Sequence, residues 1–120
     1  MILKLLQHSP DHIVSNQVLE YEQAEIVAQI TQFQASKKLV PDELQDKKNA
    51  YEIRMNMLVT MVQLGKLTME GYIQQVKKSI VETKKMAIEF KHAQKLDLAK
   101  RAMTRIKLMT AEVEEVEQSQ

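Results

Sequence analysis

Residues 89–92, which read Glu-Phe-Lys-His, are the first candidate for chemistry in this chain. Di-metal carboxylate bundles use two Glu-x-x-His motifs together with two further glutamates, all projecting into the bundle interior. Here the motif occurs once on a predicted helix, and Glu89 lies next to Phe90, which takes a predicted core position. We therefore interpret Glu89 and His92 as part of a solvent-facing helix surface.

A second candidate is the polar leader, where His8, Asp11 and His12 surround Pro10. Two imidazoles and a carboxylate can bind a metal, but Pro10 prevents a helical i, i+4 pairing of the histidines and no further protein ligand is apparent. The chain has no cysteine, no glycine-rich phosphate loop and no strand–turn–helix nucleophile motif. The sequence thus predicts a non-catalytic protein, with no metal and no cofactor.

The composition predicts the kind of scaffold. The 120 residues are 44% hydrophobic but only 4% aromatic, so the apolar part consists mainly of Leu, Ile, Val, Met and Ala, as in helical bundles. Two glycines and two prolines argue against a sheet protein with many tight turns. We predict an all-α antiparallel bundle: a leader at 1–14, a single helical domain at 15–117, and a frayed tail at 118–120.

Caps and apolar periodicity place the helices. The proposed N-caps are Ser15 or Asn16, Asp42 in a capping box with Gln45, Thr68, and Asp97. The predicted helices cover residues 15–38, 42–64, 68–93 and 97–117. The break near 94–97 has no glycine or proline, so a single helix from 69 to about 117 stays open as an alternative.

Two heptad tracks predict how the second and third helices pack. Between them lies Gly65, a suitable residue for a left-handed helix stop. Folding the tracks about this glycine puts Tyr51 opposite Ile80 and the two polar members, Lys48 and Thr83, in one layer. We therefore predict an antiparallel hairpin of these helices, with the Lys48–Thr83 layer setting the register.

Residues 84–109 carry small residues in a predicted helix–turn–helix seam, at Ala87, Ala93, Ala99 and Ala102. This segment resembles the hairpins of tetratricopeptide repeats and MIT domains, and the DM14 repeats of coiled-coil/C2-domain proteins. The turn reads Gln-Lys-Leu-Asp rather than containing the usual Gly-Asp. The resemblance implies a module that binds helical or extended peptides in trafficking assemblies, and it transfers no individual binding residue.

Basic residues concentrate in one part of the chain. Residues 66–110 contain eleven Lys or Arg and four acidic residues, although the whole chain carries a formal net charge of only +1. Lys77, Lys84 and Lys91 recur every seven residues and form one helical stripe. We take this stripe, with Arg101 and Arg105, as the candidate partner-binding set. The alternative is that these cations are only the solvated flank of a bundle.

The sequence therefore predicts a scaffold or adaptor subunit in a larger cytoplasmic assembly, which binds protein partners such as an acidic helix, or a second copy of itself. The main alternative is a peripheral membrane adaptor that inserts the apolar residues 1–6 and attracts anionic lipid through its basic helix. Nucleic acid is disfavoured because few aromatic residues accompany the basic stripe. An enzyme or a di-metal bundle ranks third.

Overall fold

The computed structural model describes residues 10–119, and within this range it contains helices and no strand. A 3-10 turn at Pro10–His12 precedes four α-helices: α1 (Asn16–Ala35), α2 (Asp42–Gln63), α3 (Met69–His92) and α4 (Leu96–Gln118). The helices pack against one another, which confirms the predicted all-α four-helix bundle. The helix is interrupted between α3 and α4, which excludes the alternative of a single helix from residue 69 to about 117.

Two of the predicted N-caps are present. Ser15 precedes α1 and its Oγ accepts a hydrogen bond from the Val18 amide at 3.2 Å. Thr68 precedes α3 and its Oγ1 accepts from the Gly71 amide at 3.0 Å. Each hydroxyl satisfies one of the amide donors that the first turn of a helix leaves without an intrahelical partner.

The other two N-cap predictions are wrong by one or two residues. Pro41 occupies the cap position of α2, with no side-chain cap, so Asp42 is the first helical residue and forms no capping box. Likewise α4 begins at Leu96 after Lys95, which places Asp97 in the first turn. Both carboxylates then lie at the positive end of the helix dipole, where they are favourable without capping.

All three interhelical turns use the same helix stop. In each turn the residue after the C-cap has a left-handed backbone. These residues are Lys37, Gly65 and Gln94, with φ values of 57°, 72° and 60°. In each turn, two amides bond back to the two carbonyls of the Schellman pattern. The stop at Gly65 was predicted. The stop at Lys37 was not, and it ends α1 at Ala35 rather than at the predicted residue 38.

The helices pair as α1 with α2 and α3 with α4, and α1 also contacts α4. The prediction that α2 lies along α3 is therefore wrong in its choice of partner helices. Val62 and Met69, which lie near the facing ends of α2 and α3 on either side of Gly65, are both more than half exposed. The heptad tracks identify the inward faces of α2 and α3, but those faces are covered by other helices.

Lys48 and Thr83, which were predicted to set the register of α2 against α3, belong to different helix pairs. The Lys48 carbonyl accepts a hydrogen bond from Gln23 of α1 at 3.2 Å. Thr83 is buried, and its hydroxyl donates to the Ser79 carbonyl of the same helix at 2.7 Å. Lys48 thus belongs to the α1–α2 pair and Thr83 to the α3–α4 pair, so the predicted shared layer does not form.

The core consists of two hydrophobic clusters. The larger draws on all four helices and includes Leu19, Leu58, Val76 and Met109. The smaller lies between α3 and α4, where Ala87 and Ala102 allow close approach beside Phe90 and Ile106. Three of the small residues noted in the sequence, Ala87, Ala99 and Ala102, are therefore part of the α3–α4 contact, whereas Ala93 is the exposed C-cap of α3.

Candidate functional site

A buried carboxylate, Glu22, joins α1, α2 and α4. Its two oxygens accept hydrogen bonds from Arg105 Nε at 2.6 Å and a terminal guanidinium nitrogen at 2.9 Å. Tyr51 of α2 donates to the same carboxylate at 2.8 Å. Arg101 adds a longer ion pair to Glu22 at 3.6 Å. This planar two-point pairing is the geometry in which a buried ion pair is best compensated for its desolvation.

A second buried carboxylate, Glu112, joins the start of α1 to α3 and α4. Ser15 Oγ donates to Glu112 at 2.6 Å while also capping α1, and the Tyr72 hydroxyl donates to the other oxygen. The Tyr72 oxygen in turn accepts from the Asn16 amide at 2.8 Å. Through these bonds one carboxylate fixes the start of α1 against the first turn of α3 and the C-terminal part of α4.

Both network tyrosines are held in the neutral form. Burial is the largest cause that raises the pKa of Tyr51 well above its ordinary value of 10.0, and the adjacent Glu22 raises it further. Burial also raises the pKa of Tyr72, with Glu112 adding to the effect. The two phenols therefore keep their protons, and can donate hydrogen bonds, to higher pH than an exposed tyrosine. No buried side-chain nitrogen or oxygen within residues 10–119 lacks a partner, so the networks are complete as structural ties.

An open, mainly apolar groove runs along one face of the α3–α4 pair, with a volume of about 820 Å³. We call it the α3–α4 groove. Its apolar lining is Ala87, Ile88, Leu96, Ala99, Met103 and Ile106. Thr104 and four lysines complete it: Lys84, Lys91, Lys100 and Lys107.

Helical periodicity explains how lysines and apolar residues share the groove. On α3, Lys84, Ile88 and Lys91 stand at i, i+4 and i+7, so they project from one side of the helix. On α4, Lys100 and Met103 follow the same rule, continued by Lys107. Each wall of the groove therefore alternates between a cation and a large apolar side chain.

The predicted partner-binding residues are divided by the fold. Lys84 and Lys91 line the α3–α4 groove. Lys77 instead pairs with Glu117 of α4 at 3.0 Å, and Arg101 pairs with Glu25 at 3.3 Å. Arg105 is buried against Glu22, which removes it from the surface predicted to meet a partner. The predicted stripe is thus two groove lysines and one intramolecular ion pair.

The candidates for metal and membrane chemistry receive no further support. Among residues 10–119 no group of three His, Asp or Glu side chains is arranged to hold a metal ion. None of the helices in this range is long and apolar enough to cross a bilayer. His8 of the proposed leader cluster, and the apolar segment 1–6 of the membrane alternative, lie outside the described residues.

Sequence reasoning did not predict the buried hydrogen-bond networks or the α4 side of the α3–α4 groove. Glu22 stands between Leu19 and Ile26 on the apolar track of α1, and this interruption was the available signal of a buried charge. Lys100 and Lys107 were counted among the basic residues but not recognised as a seven-residue pair. Their alignment with Lys84 and Lys91 depends on the α3–α4 turn, which the sequence left open.

Comparisons of this chain with protein-family models, with curated proteins and with solved structures found no match.

Proposed function

We propose that this protein is a non-catalytic helical interaction module, an adaptor or scaffold subunit of a larger cytoplasmic assembly, and that its docking surface is the α3–α4 groove. The observation that carries the proposal is the exposure of large apolar side chains there. Ile88 is 57% exposed, Leu96 60% and Met103 48%, and all three line the same groove. Clustered apolar side chains at the surface of a folded domain are typical of a protein-binding site.

The shape of the groove favours a helix as the bound element. The walls are two antiparallel helices, and the floor is lowered by the small side chains of Ala87 and Ala99. A third helix that lies along such a channel inserts its apolar side chains at i, i+3, i+4 and i+7 between the walls. The α3–α4 groove therefore supports helix-in-groove recognition.

The energetics favour a reversible contact. Burying a large apolar side chain contributes roughly 1.5–3 kcal/mol, so the three exposed residues supply several kcal/mol. Association itself costs about 4–15 kcal/mol in lost translational and rotational freedom. The apolar contact alone is thus no more than comparable with that cost, and the surrounding polar groups must contribute to a stable complex.

The test combines cross-linking with a matched pair of variants. A photo-cross-linking residue replaces Leu96 and captures partners in the native source, and the captured protein is then purified and titrated by calorimetry. Ile88→Asp with Met103→Asp places two charges in the groove. The control is Ile53→Asp, which changes an equally exposed apolar residue, 61% exposed, on α2.

We expect the purified partner to bind the unmodified chain and the Ile53→Asp control alike, and to lose binding to the doubly substituted groove. Circular dichroism checks that both variants stay helical. Equal binding by the groove variant and the control would contradict the proposal. So would a chain that binds anionic liposomes and no protein, which is the behaviour of the membrane adaptor.

A further inference from the structure

We infer that the α3–α4 groove selects an amphipathic helix with acidic residues along both sides of its apolar stripe. This inference rests on the proposed function and specifies the partner of the same groove. Every charged residue in the lining is a lysine, namely Lys84, Lys91, Lys100 and Lys107, and all four are exposed. The groove therefore presents four positive charges around an apolar floor.

The groove lysines are available to a partner. The other cations discussed above are used inside the bundle: Lys77 binds Glu117, while Arg105 and Arg101 bind Glu22. Within residues 10–119 none of the four groove ammonium groups forms an ion pair or a hydrogen bond. A cation that neutralises no charge of its own fold repels other cations and favours an acidic ligand.

The positions of the lysines specify where the acids must lie. Because α3 and α4 are antiparallel about the turn that contains Gln94, Lys91 comes roughly opposite Lys100, and Lys84 roughly opposite Lys107. Seven helical residues at 1.5 Å each separate the two lysine pairs by about 10 Å. The large apolar residues Ile88 and Met103 lie between the pairs.

A helix that fits this arrangement has a recognisable heptad pattern. Its apolar residues occupy the a and d positions that enter the groove, and its Asp or Glu residues occupy the e and g positions on either side. Acids spaced by seven residues on each side then meet both lysine pairs at once. The same charges disfavour a basic amphipathic helix, which supplies specificity as well as attraction.

A second copy of this chain does not match the pattern at its own exposed apolar surface. The exposed apolar residues of α2 include Ile53, Met57 and Val62, and the charged side chains beside them are Glu52 and Arg54, one acid and one base rather than two rows of acids. The charge complementarity therefore favours an acidic helix of another protein.

The probes are three peptides of three heptads each, with identical Leu at a and d and with Glu, Gln or Lys at e and g. They are titrated by fluorescence anisotropy against the full chain and two variants. Lys84→Glu with Lys91→Glu reverses one wall of the groove. Lys78→Glu with Lys85→Glu is the matched control, because these lysines are also exposed and seven residues apart on α3 but do not line the groove.

We expect the Glu peptide to bind about tenfold more tightly than the Gln peptide, since four exposed ion pairs multiply to about that factor. The groove reversal should remove this preference, the control pair should keep it, and added salt should weaken only the Glu peptide. Equal affinities of the Glu and Gln peptides would overturn the charge inference and leave the groove as an apolar docking site. Binding of neither peptide, or equal losses in both variants, would overturn it as well.

Discussion

Replacing Arg105 by Met should be among the most destabilising single changes in this bundle. The Arg105 side chain is 9% exposed and that of Glu22 is 3% exposed, and their shortest contact is 2.6 Å. Removing the guanidinium leaves a buried carboxylate with the Tyr51 hydroxyl and the distant Arg101 as its remaining partners. Breaking a buried ion pair in this way costs about 3–5 kcal/mol.

The assay is urea unfolding followed by circular dichroism, with thermal unfolding as a second measure. For a domain near this size, 1 kcal/mol shifts the melting temperature by about 4 °C, so Arg105→Met should lower it by about 12–20 °C. Arg101→Met is the matched control. It removes the same chemical group one turn away, from a side chain that is 40% exposed, and should cost no more than about 1 kcal/mol.

A compensated variant separates the buried charge from the lost packing. Glu22→Leu, Tyr51→Phe and Arg105→Met together remove the three buried polar side chains of this network, and Arg101 keeps its ion pair with Glu25. Well-packed apolar replacements of a buried ion pair are often neutral or stabilising, so most of the lost stability should return. If Arg105→Met costs less than about 1 kcal/mol, or the triple variant is no more stable than the single one, the network is not the buried tie inferred here.

The other predictions concern ionisation and the interhelical turns. Burial raises the pKa of Tyr51 and Tyr72, so their contribution to the free energy of unfolding is complete below pH 10.0 and is lost as the pH rises above that value. In an alkaline titration, tyrosinate absorbance and helical content should therefore change together. Gly65→Ala should cost about 1–2 kcal/mol in urea unfolding, since φ is +72° there. Gly71→Ala should cost less, because its φ is ordinary and the added Cβ meets two side-chain atoms, the capping Thr68 hydroxyl at 3.2 Å and Leu67 Cδ1 at 3.8 Å. Gln94→Gly should stabilise by about 0.5–1 kcal/mol by relieving a left-handed φ of 60°, and no rise in the urea midpoint would contradict this.

The fold was predictable where local rules decide the outcome. Residues within a few positions of one another determine the helix ends and the apolar stripes. The helix ends predicted in this way are the N-caps at Ser15 and Thr68 and the helix stop at Gly65. Which helix covers each stripe depends on distant residues. Glu22 and Arg105 are 83 positions apart, and in the sequence each appears as one more helical charge.

The candidate site was half predictable for the same reason. Lys84 and Lys91 could be recognised as a stripe because they lie on one helix. Their partner lysines lie on α4, beyond a turn stopped by Gln94, a residue that gives no strong turn signal. A left-handed glutamine is uncommon, and only the folded chain shows that the helix ends there.

The turn at Gly65 joins two helical hairpins that are otherwise held together by side chains. The α1–α2 and α3–α4 pairs meet through their shared core and through bonds such as that from Ser15 to Glu112, 97 positions away. The backbone at Gly65 is exposed, and a side chain added there would meet nothing within 4 Å. Cutting the chain after this residue should therefore give two fragments that reassemble when mixed, and the α3–α4 groove would be carried entirely by the second. The bundle is thus suited to use as a split reporter, in which the return of helical structure signals that two fused proteins have come together.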